Sequence, residues 1–184
     1  MNNEKFEAAL VYVAEKSKDD PRFGAIKLNK VLYYSDFAAY RRLGAPITGD
    51  EYQNLPEGPA PRHLVPVQDR LIKSRALVME ERPYFKGVQK RILPGPEPLN
   101  AANPKYHLSQ GERDVLDEVV QELWALNGKQ VSELSHREFG WCQTSQGETI
   151  PYHTAWIGSE PLTQAQIEKG VEVAERRAAE RAAR

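Results

Sequence analysis

The chain has 184 residues, 40% of them hydrophobic and 28% charged, which suits one soluble globular domain able to bury about two thirds of its unfolded surface. Its formal net charge of −1 excludes the strong basic excess of a dedicated nucleic-acid binder, and its single cysteine, Cys142, excludes an intramolecular disulfide framework and suits a reducing cytosol. No apolar run approaches the ~18 residues a membrane helix needs, and Met1-Asn2-Asn3-Glu4-Lys5 lacks the basic start and apolar block of a signal peptide, so the expected location is cytoplasmic.

A first helix is expected over about Glu4 to Lys18, where Phe6, Ala9, Leu10, Val13 and Ser17 recur on one face; Asp19-Asp20-Pro21 ends it. A second runs from about Gly24 to Leu43, with Ile26, Val31, Leu32, Phe37, Ala38 and Leu43 as candidate buried positions and Gly44 as its stop. After an acidic-aromatic turn, Asp50-Glu51-Tyr52, a third helix is expected to start near Pro59 or Pro61 and to bury Leu64, Val67, Leu71 and Ile72. The period then changes. Residues 77–81 and 88–92 alternate as half-buried strands around a Lys86-Gly87 turn, and Tyr106-His107-Leu108 is a candidate third strand. Ser109 and Glu112 fit a capping box that opens a helix burying Val115, Leu116, Val119, Val120, Leu123 and Trp124, which stops at Asn127-Gly128. A shorter helix follows over about Lys129 to Arg137. A last one starts with a capping box at Thr163 to Gln166, with Leu162 placed to staple against Ile167. Its Ala/Glu/Arg-rich end reads as solvated, supported by Glu172/Arg176 and Glu180/Arg184 pairs. The expected architecture is therefore mainly α (α+β), a helical domain with a small antiparallel sheet of two or three strands.

Two blocks of sequence stand out. From Lys27 to Pro61 the chain reads KLNKVLYYSDFAAYRRLGAPITGDEYQNLPEGPAP, and further on it carries Val131-Ser132-Glu133-Leu134-Ser135-His136, then Gly140-Trp141, then Ile150-Pro151-Tyr152. The first block resembles the signature of the Panacea antitoxin domain, in which K-L-x-K-x-L-Y-Y-x-D leads to G-x-P-I-T-G-D-x-Y and then G-P-x-P. The second resembles the L-S-x-L-S/T-H helix, tryptophan and isoleucine-tyrosine segment of the same family, with Gly140 where proline often precedes the tryptophan. The resemblance implies an antitoxin encoded beside a toxic partner and neutralising it by direct contact, or, in one branch, delivering it to a protease. On that basis residues 1–160 are expected to form a Panacea-like domain, with 161–184 a charged helix belonging to it.

Read as residues, Tyr33, Tyr34, Tyr40 and Tyr52 offer the contact area and hydroxyls that recur at protein-binding hot spots, although two adjacent tyrosines on a helix cannot both face inward. Asp36, with Lys30 and Arg41 nearby in sequence, suggests an internal salt-bridge network or a contact with a basic patch on a toxin. The candidate partner-binding residues are Tyr34, Asp36, Tyr40, Tyr52, Pro59, Pro61, His136 and Trp141. Asp50 and Glu51 diverge in extended chain and read as turn material, while the two prolines of Gly58-Pro59-Ala60-Pro61 remove the amides a phosphate cradle needs. The clusters Lys27/Lys30, Arg41/Arg42, Lys86/Lys90/Arg91 and Arg176/Arg177 read most simply as mixed-sign solvated surface. His63, His107, His136 and His153 lack the spacing of a zinc site, and no metal or cofactor is expected.

The expected function is toxin neutralisation through a protein interface, without catalysis, as a complex with the cognate toxin or a homo-oligomer, and with no membrane or nucleic-acid partner. Three rivals make distinct predictions. An enzyme that reverses the toxin's product, using Cys142 with His136 or His153, would lose rescue on substitution of Cys142 or His136 while still binding the toxin. A DNA-binding autoregulator would lose salt-sensitive binding when Arg41/Arg42 or Arg176/Arg177 are neutralised. A proteolytic adaptor would lower toxin abundance.

Overall fold

Helix α1 (Asn3–Lys16) starts where the Asn2 side chain accepts from the Lys5 amide at 3.0 Å, and it buries Phe6, Ala9, Leu10 and Val13. The computed structural model describes residues 2–84, 87–100 and 103–157. The last α1 turn closes at Ser17, ahead of Lys18, because residues 17–23 fold into a tight turn in which the Asp20 carboxylate accepts from the Arg22 amide at 2.8 Å. Helix α2 (Ala25–Leu43) ends on Gly44 at φ 82°, a left-handed conformation that glycine adopts without a Cβ clash. Its inner face buries Leu28, Val31, Leu32, Tyr33 and Phe37. Leu43, expected inside, is 48% exposed; it sits in the last turn, close to Gly111 at the start of a later helix.

Beyond Gly44 come β1 (Tyr52–Gln53), β2 (Ala60–Pro61) and α3 (Leu64–Lys73). Contrary to the expectation from sequence, the third helix does not begin near Pro59 or Pro61 but at Leu64; Pro61 lies in β2, an edge strand where its missing amide costs no ladder bond. The alternating segments form a hairpin of β3 (Leu77–Tyr84) and β4 (Gly87–Pro94), in register from Leu77↔Pro94 to Tyr84↔Gly87. The strand expected at Tyr106-His107-Leu108 does not form. Pro104–Tyr106 is a 3-10 turn instead, started by Asn103 accepting from the Lys105 amide at 3.2 Å.

Helix α4 (Gln110–Leu123) opens on the anticipated capping box: Glu112 accepts from the Ser109 amide at 2.7 Å and Ser109 from the Glu112 amide at 3.2 Å. Helix α4 ends at Leu123, ahead of the stop expected at Asn127-Gly128; Asn127 instead caps the next helix, α5 (Gly128–Ser135), through a reciprocal box with Gln130. Short α6 (Phe139–Cys142), β5 (Thr149–Ile150) and a 3-10 turn over Tyr152–Trp156 complete the described chain. The C-terminal helix, its capping box at Thr163, the Leu162/Ile167 staple and Arg176/Arg177 lie outside the described residues.

The fold is mainly α, with a three-stranded sheet in the order β2-β1-β5 and the separate β3-β4 hairpin, both antiparallel. Helix α2 is central, packed on α4, α5 and the final 3-10 turn, while α1 joins α3, α4 and β4. Each fully buried leucine on α2, such as Leu28 or Leu32, contributes roughly 1.5–3 kcal/mol of burial free energy. Among the described residues no helix is long and apolar enough to cross a membrane.

Candidate functional site

Asp36 is fully buried at the middle of α2, and its partners come from the turn after that helix and from the final 3-10 turn. Oδ1 accepts from the Thr48 amide at 2.8 Å; Oδ2 accepts from the Thr48 hydroxyl and from the Tyr52 hydroxyl at 3.0 Å. The Tyr152 hydroxyl lies 3.1 Å from the same oxygen and 2.6 Å from the Asp50 carbonyl, so its single proton is shared between two acceptors. Burial pushes the Asp36 carboxyl above its usual range, and the donors from Thr48, Tyr52 and Tyr152 oppose that shift. The expected salt-bridge network with Lys30 and Arg41 is absent: hydroxyl and amide donors hold this carboxylate. Around it Tyr33, Phe37, Tyr52 and Tyr152 form an aromatic cluster, with Tyr33 to Phe37 at 4.3 Å and Phe37 to Tyr152 at 4.9 Å between ring centres.

The two lysines of the signature helix are also internal, which corrects their assignment to a solvated basic surface. Lys27 bonds Asp20 at 2.6 Å and the carbonyls of Trp124 and Leu126 at 2.9 and 2.8 Å, so all three ammonium protons are used. Lys30 donates to the Pro59 carbonyl at 3.1 Å; burial lowers its amine to about 8, with Glu57 opposing. The Gly58-Pro59 corner closes directly over this amine. A Cβ at Gly58 would collide with the Ser135 hydroxyl and approach Lys30 Cε to 2.7 Å, and its φ of 92° is itself a glycine conformation. Across the corner the Ser132 hydroxyl donates to the Glu57 carbonyl at 2.8 Å. Arg91, placed from sequence in another surface cluster, is likewise buried and donates to the carbonyls of Lys18, Asp20 and Phe23.

The second sequence block docks on the same turn. Trp141 donates through Nε1 to the Leu55 carbonyl at 3.2 Å, and Asn54 reaches the carbonyls of Trp141 and Thr144, both at 2.8 Å. The His136 ring stacks on Trp141 at 4.2 Å. Cys142 is exposed with Sγ 3.2 Å from the His136 carbonyl, a contact with backbone and not with the imidazole. Asp50 takes the role of a cap: its carboxylate accepts from the His63 amide at 2.9 Å and meets His63 Nδ1 at 2.6 Å at the start of α3. Glu51 points away to Arg62 at 2.9 Å, so the adjacent carboxylates diverge. Among the described residues no three His, Cys, Asp or Glu side chains converge as a metal site would require.

Of the candidate contact residues, Asp36, Tyr52, Pro59 and Pro61 are buried, whereas Tyr34, Tyr40, His136 and Trp141 are half-buried. Tyr34 lines a cleft of about 230 Å³ between α2, α4, α6 and the final 3-10 turn, together with Arg41, Arg42, Glu122 and Glu138. Burial raises the Glu138 carboxyl; Tyr34, which makes no hydrogen bond of normal geometry, and Arg41 oppose that shift. The Tyr40 ring packs in a tilted arrangement on Tyr152, with ring centres 5.6 Å apart.

A helix carrying two buried lysines and a buried aspartate, tied to the loop before it, the turn after it and distant carbonyls, is the geometry behind the signature. The profile of the antitoxin SocA-like, Panacea domain matches residues 28–142. The chain belongs to that family. No curated protein and no solved structure matches it. The matched stretch stops ahead of Tyr152, yet Tyr152 completes the Asp36 site, and α1 upstream supplies part of the core. Sequence reasoning missed Thr48 and Tyr152 as partners of Asp36, although both stand inside quoted motifs. It also missed the pairing of Asp50 with His63, thirteen residues apart, for which no local rule gives a signal.

Proposed function

We propose that this Panacea-domain protein neutralises a cognate protein toxin by binding it directly, without chemistry of its own. Membership of the antitoxin family over residues 28–142 carries this reading. Occlusion of a toxin's working surface needs only an interface on the order of 1,600 Å² in total, and no reactive group on the antitoxin. The contact surface in this reading is the rim around Tyr34 and Tyr40, continued by His136 and Trp141. Asp36, Tyr52, Pro59 and Pro61 brace it from beneath, fixing the turn on which Trp141 docks. The binding unit is taken as residues 1–160, working in the cytoplasm.

Co-expression with the product of the adjacent open reading frame tests the reading: the two proteins should co-purify, and Tyr40→Ala should weaken the complex by about tenfold or more while the free protein melts near the parent temperature. Rescue of growth by a protein that never forms that complex would point to an enzyme acting on the toxin's product. Falling toxin abundance would point to a proteolytic adaptor.

A further inference from the structure

A groove of about 340 Å³ lies between β4 and the first turn of α2, lined by Arg22, Gly24, Ile26, Val88, Lys90 and Gly128 among others. Three successive β4 residues, Val88, Gln89 and Lys90, line it and none of β3 does, so it runs along the outer edge of β4. The bonding pattern of the hairpin fixes what that edge presents. The Gly95 amide donates to the Ala76 carbonyl at 2.8 Å, one step beyond the Leu77↔Pro94 pair. By alternation the bonded pairs fall at Val78↔Leu93, Glu80↔Arg91 and Arg82↔Gln89, leaving the amides of Val88, Lys90 and Ile92 directed outward. In β3 the matching outward series is broken by Pro83, a common way to blunt an edge, whereas β4 is uninterrupted until Pro94.

Charge and apolar surface in the groove select its occupant. The charged lining is basic: Arg22, which forms no ion pair among the described residues, Lys27, already tied to Asp20, and Lys90, loosely paired with Glu81 at 3.4 Å. Opposite the strand, the long helix α2 begins at Gly24 without a side-chain cap, so the positive end of its dipole adds to the same field. Val88 is 62% exposed beside this edge and Ile26 is half-buried. We propose that the β4 groove docks an extended, acidic segment of the toxin, which adds to the hairpin as a third strand; on the face that Val88 and Lys90 share, an apolar side chain lies over Val88 and Ile26 and the carboxylate two residues on is directed to Lys90 and Arg22. The assignment rests on the contact mechanism proposed above but uses a separate surface from Tyr34 and Tyr40.

Titration of the full-length ¹⁵N-labelled protein with a capped synthetic peptide in which valine and glutamate take turns at every second position, with threonine between them, tests the groove independently of the toxin. Saturable shifts at the Val88 and Lys90 amides are expected, with affinity falling about tenfold in Arg22→Glu or Lys90→Glu and no comparable binding of a valine-lysine peptide. Absence of saturable shifts there, equal binding of the lysine peptide, or indifference to both charge reversals overturns the proposal. With the toxin itself, Val88→Pro, which deletes one outward amide, and Arg22→Glu should each weaken binding by about tenfold. Undiminished toxin binding in both variants overturns the groove's role while contact neutralisation stands. A parent protein that never binds the toxin removes the contact mechanism instead, and the peptide titration still decides the groove.

Discussion

The turn region over residues 44–63 and the β3-β4 hairpin are held by opposite means. The hairpin has a continuous backbone ladder but sparse side-chain anchorage: Leu77 and Ile92 reach the core, and Arg91 ties the sheet to the loop ahead of α2. The turn has almost no ladder, two strands of two residues each, yet Asp36 holds it at Thr48 and Tyr52, Lys30 holds it at the Pro59 carbonyl, and its own Asn54 bonds the carbonyls of Trp141 and Thr144. Side chains from α2 therefore do for the turn what strand pairing does for the hairpin. One consequence is that the family signature marks a brace, while the hairpin keeps a free edge.

Substitutions that separate the two modes of support should span a wide range of effects. Asp36→Ala leaves the Thr48 amide and buried hydroxyls without an acceptor, at a cost of about 4 kcal/mol by chemical denaturation. A cost below ~1 kcal/mol would show the turn to be held by packing alone. Arg91→Met, which strips three carbonyls of a charged donor, is expected to cost about 3 kcal/mol and to loosen the hairpin selectively in amide exchange.

Lys30 gives a pH signature. Its folded amine titrates near about 8, below the ordinary lysine value of roughly 10.4. The unfolded chain therefore binds the extra proton between those values, and stability rises with pH across that window; below it, the burial cost is present in full. Relative to Lys30→Met, the parent should gain on the order of 2 kcal/mol between about pH 7.5 and pH 10. A difference independent of pH would mean that the amine stays charged under the Gly58-Pro59 corner. At the small end, Arg82→Ala removes an exposed pairing with Glu80 within β3 and should leave the melting temperature unchanged within error.

Helical periods, the Gly44 stop, the Ser109 capping box and the hairpin alternation were all legible in the sequence because each is a local rule acting within a few residues. The sheet of β2-β1-β5 was not. Its strands are too short to show a period, and its register depends on Ile150 arriving opposite Tyr52 from nearly a hundred positions away. The charged residues were misread for a related reason. Lys27, Lys30 and Arg91 look like surface in a window of neighbours, and only the carbonyls of 18–23, 59 and 124–126, brought close by folding, explain their burial. Of the candidate site, the aromatic residues of the signature were recognisable, but which face outward follows from Tyr152 packing against Phe37 and Tyr40, a contact across the whole domain.

Hydrogen exchange on the purified protein, alone and with the product of the adjacent open reading frame, measures contact and its location together. Neutralisation by contact predicts slow exchange at Thr48 to Asn54 in both states, with new protection near Tyr40, His136 and the β4 edge once the toxin is added. A protein that protects cells yet shows no added protection anywhere in the presence of its toxin would contradict it.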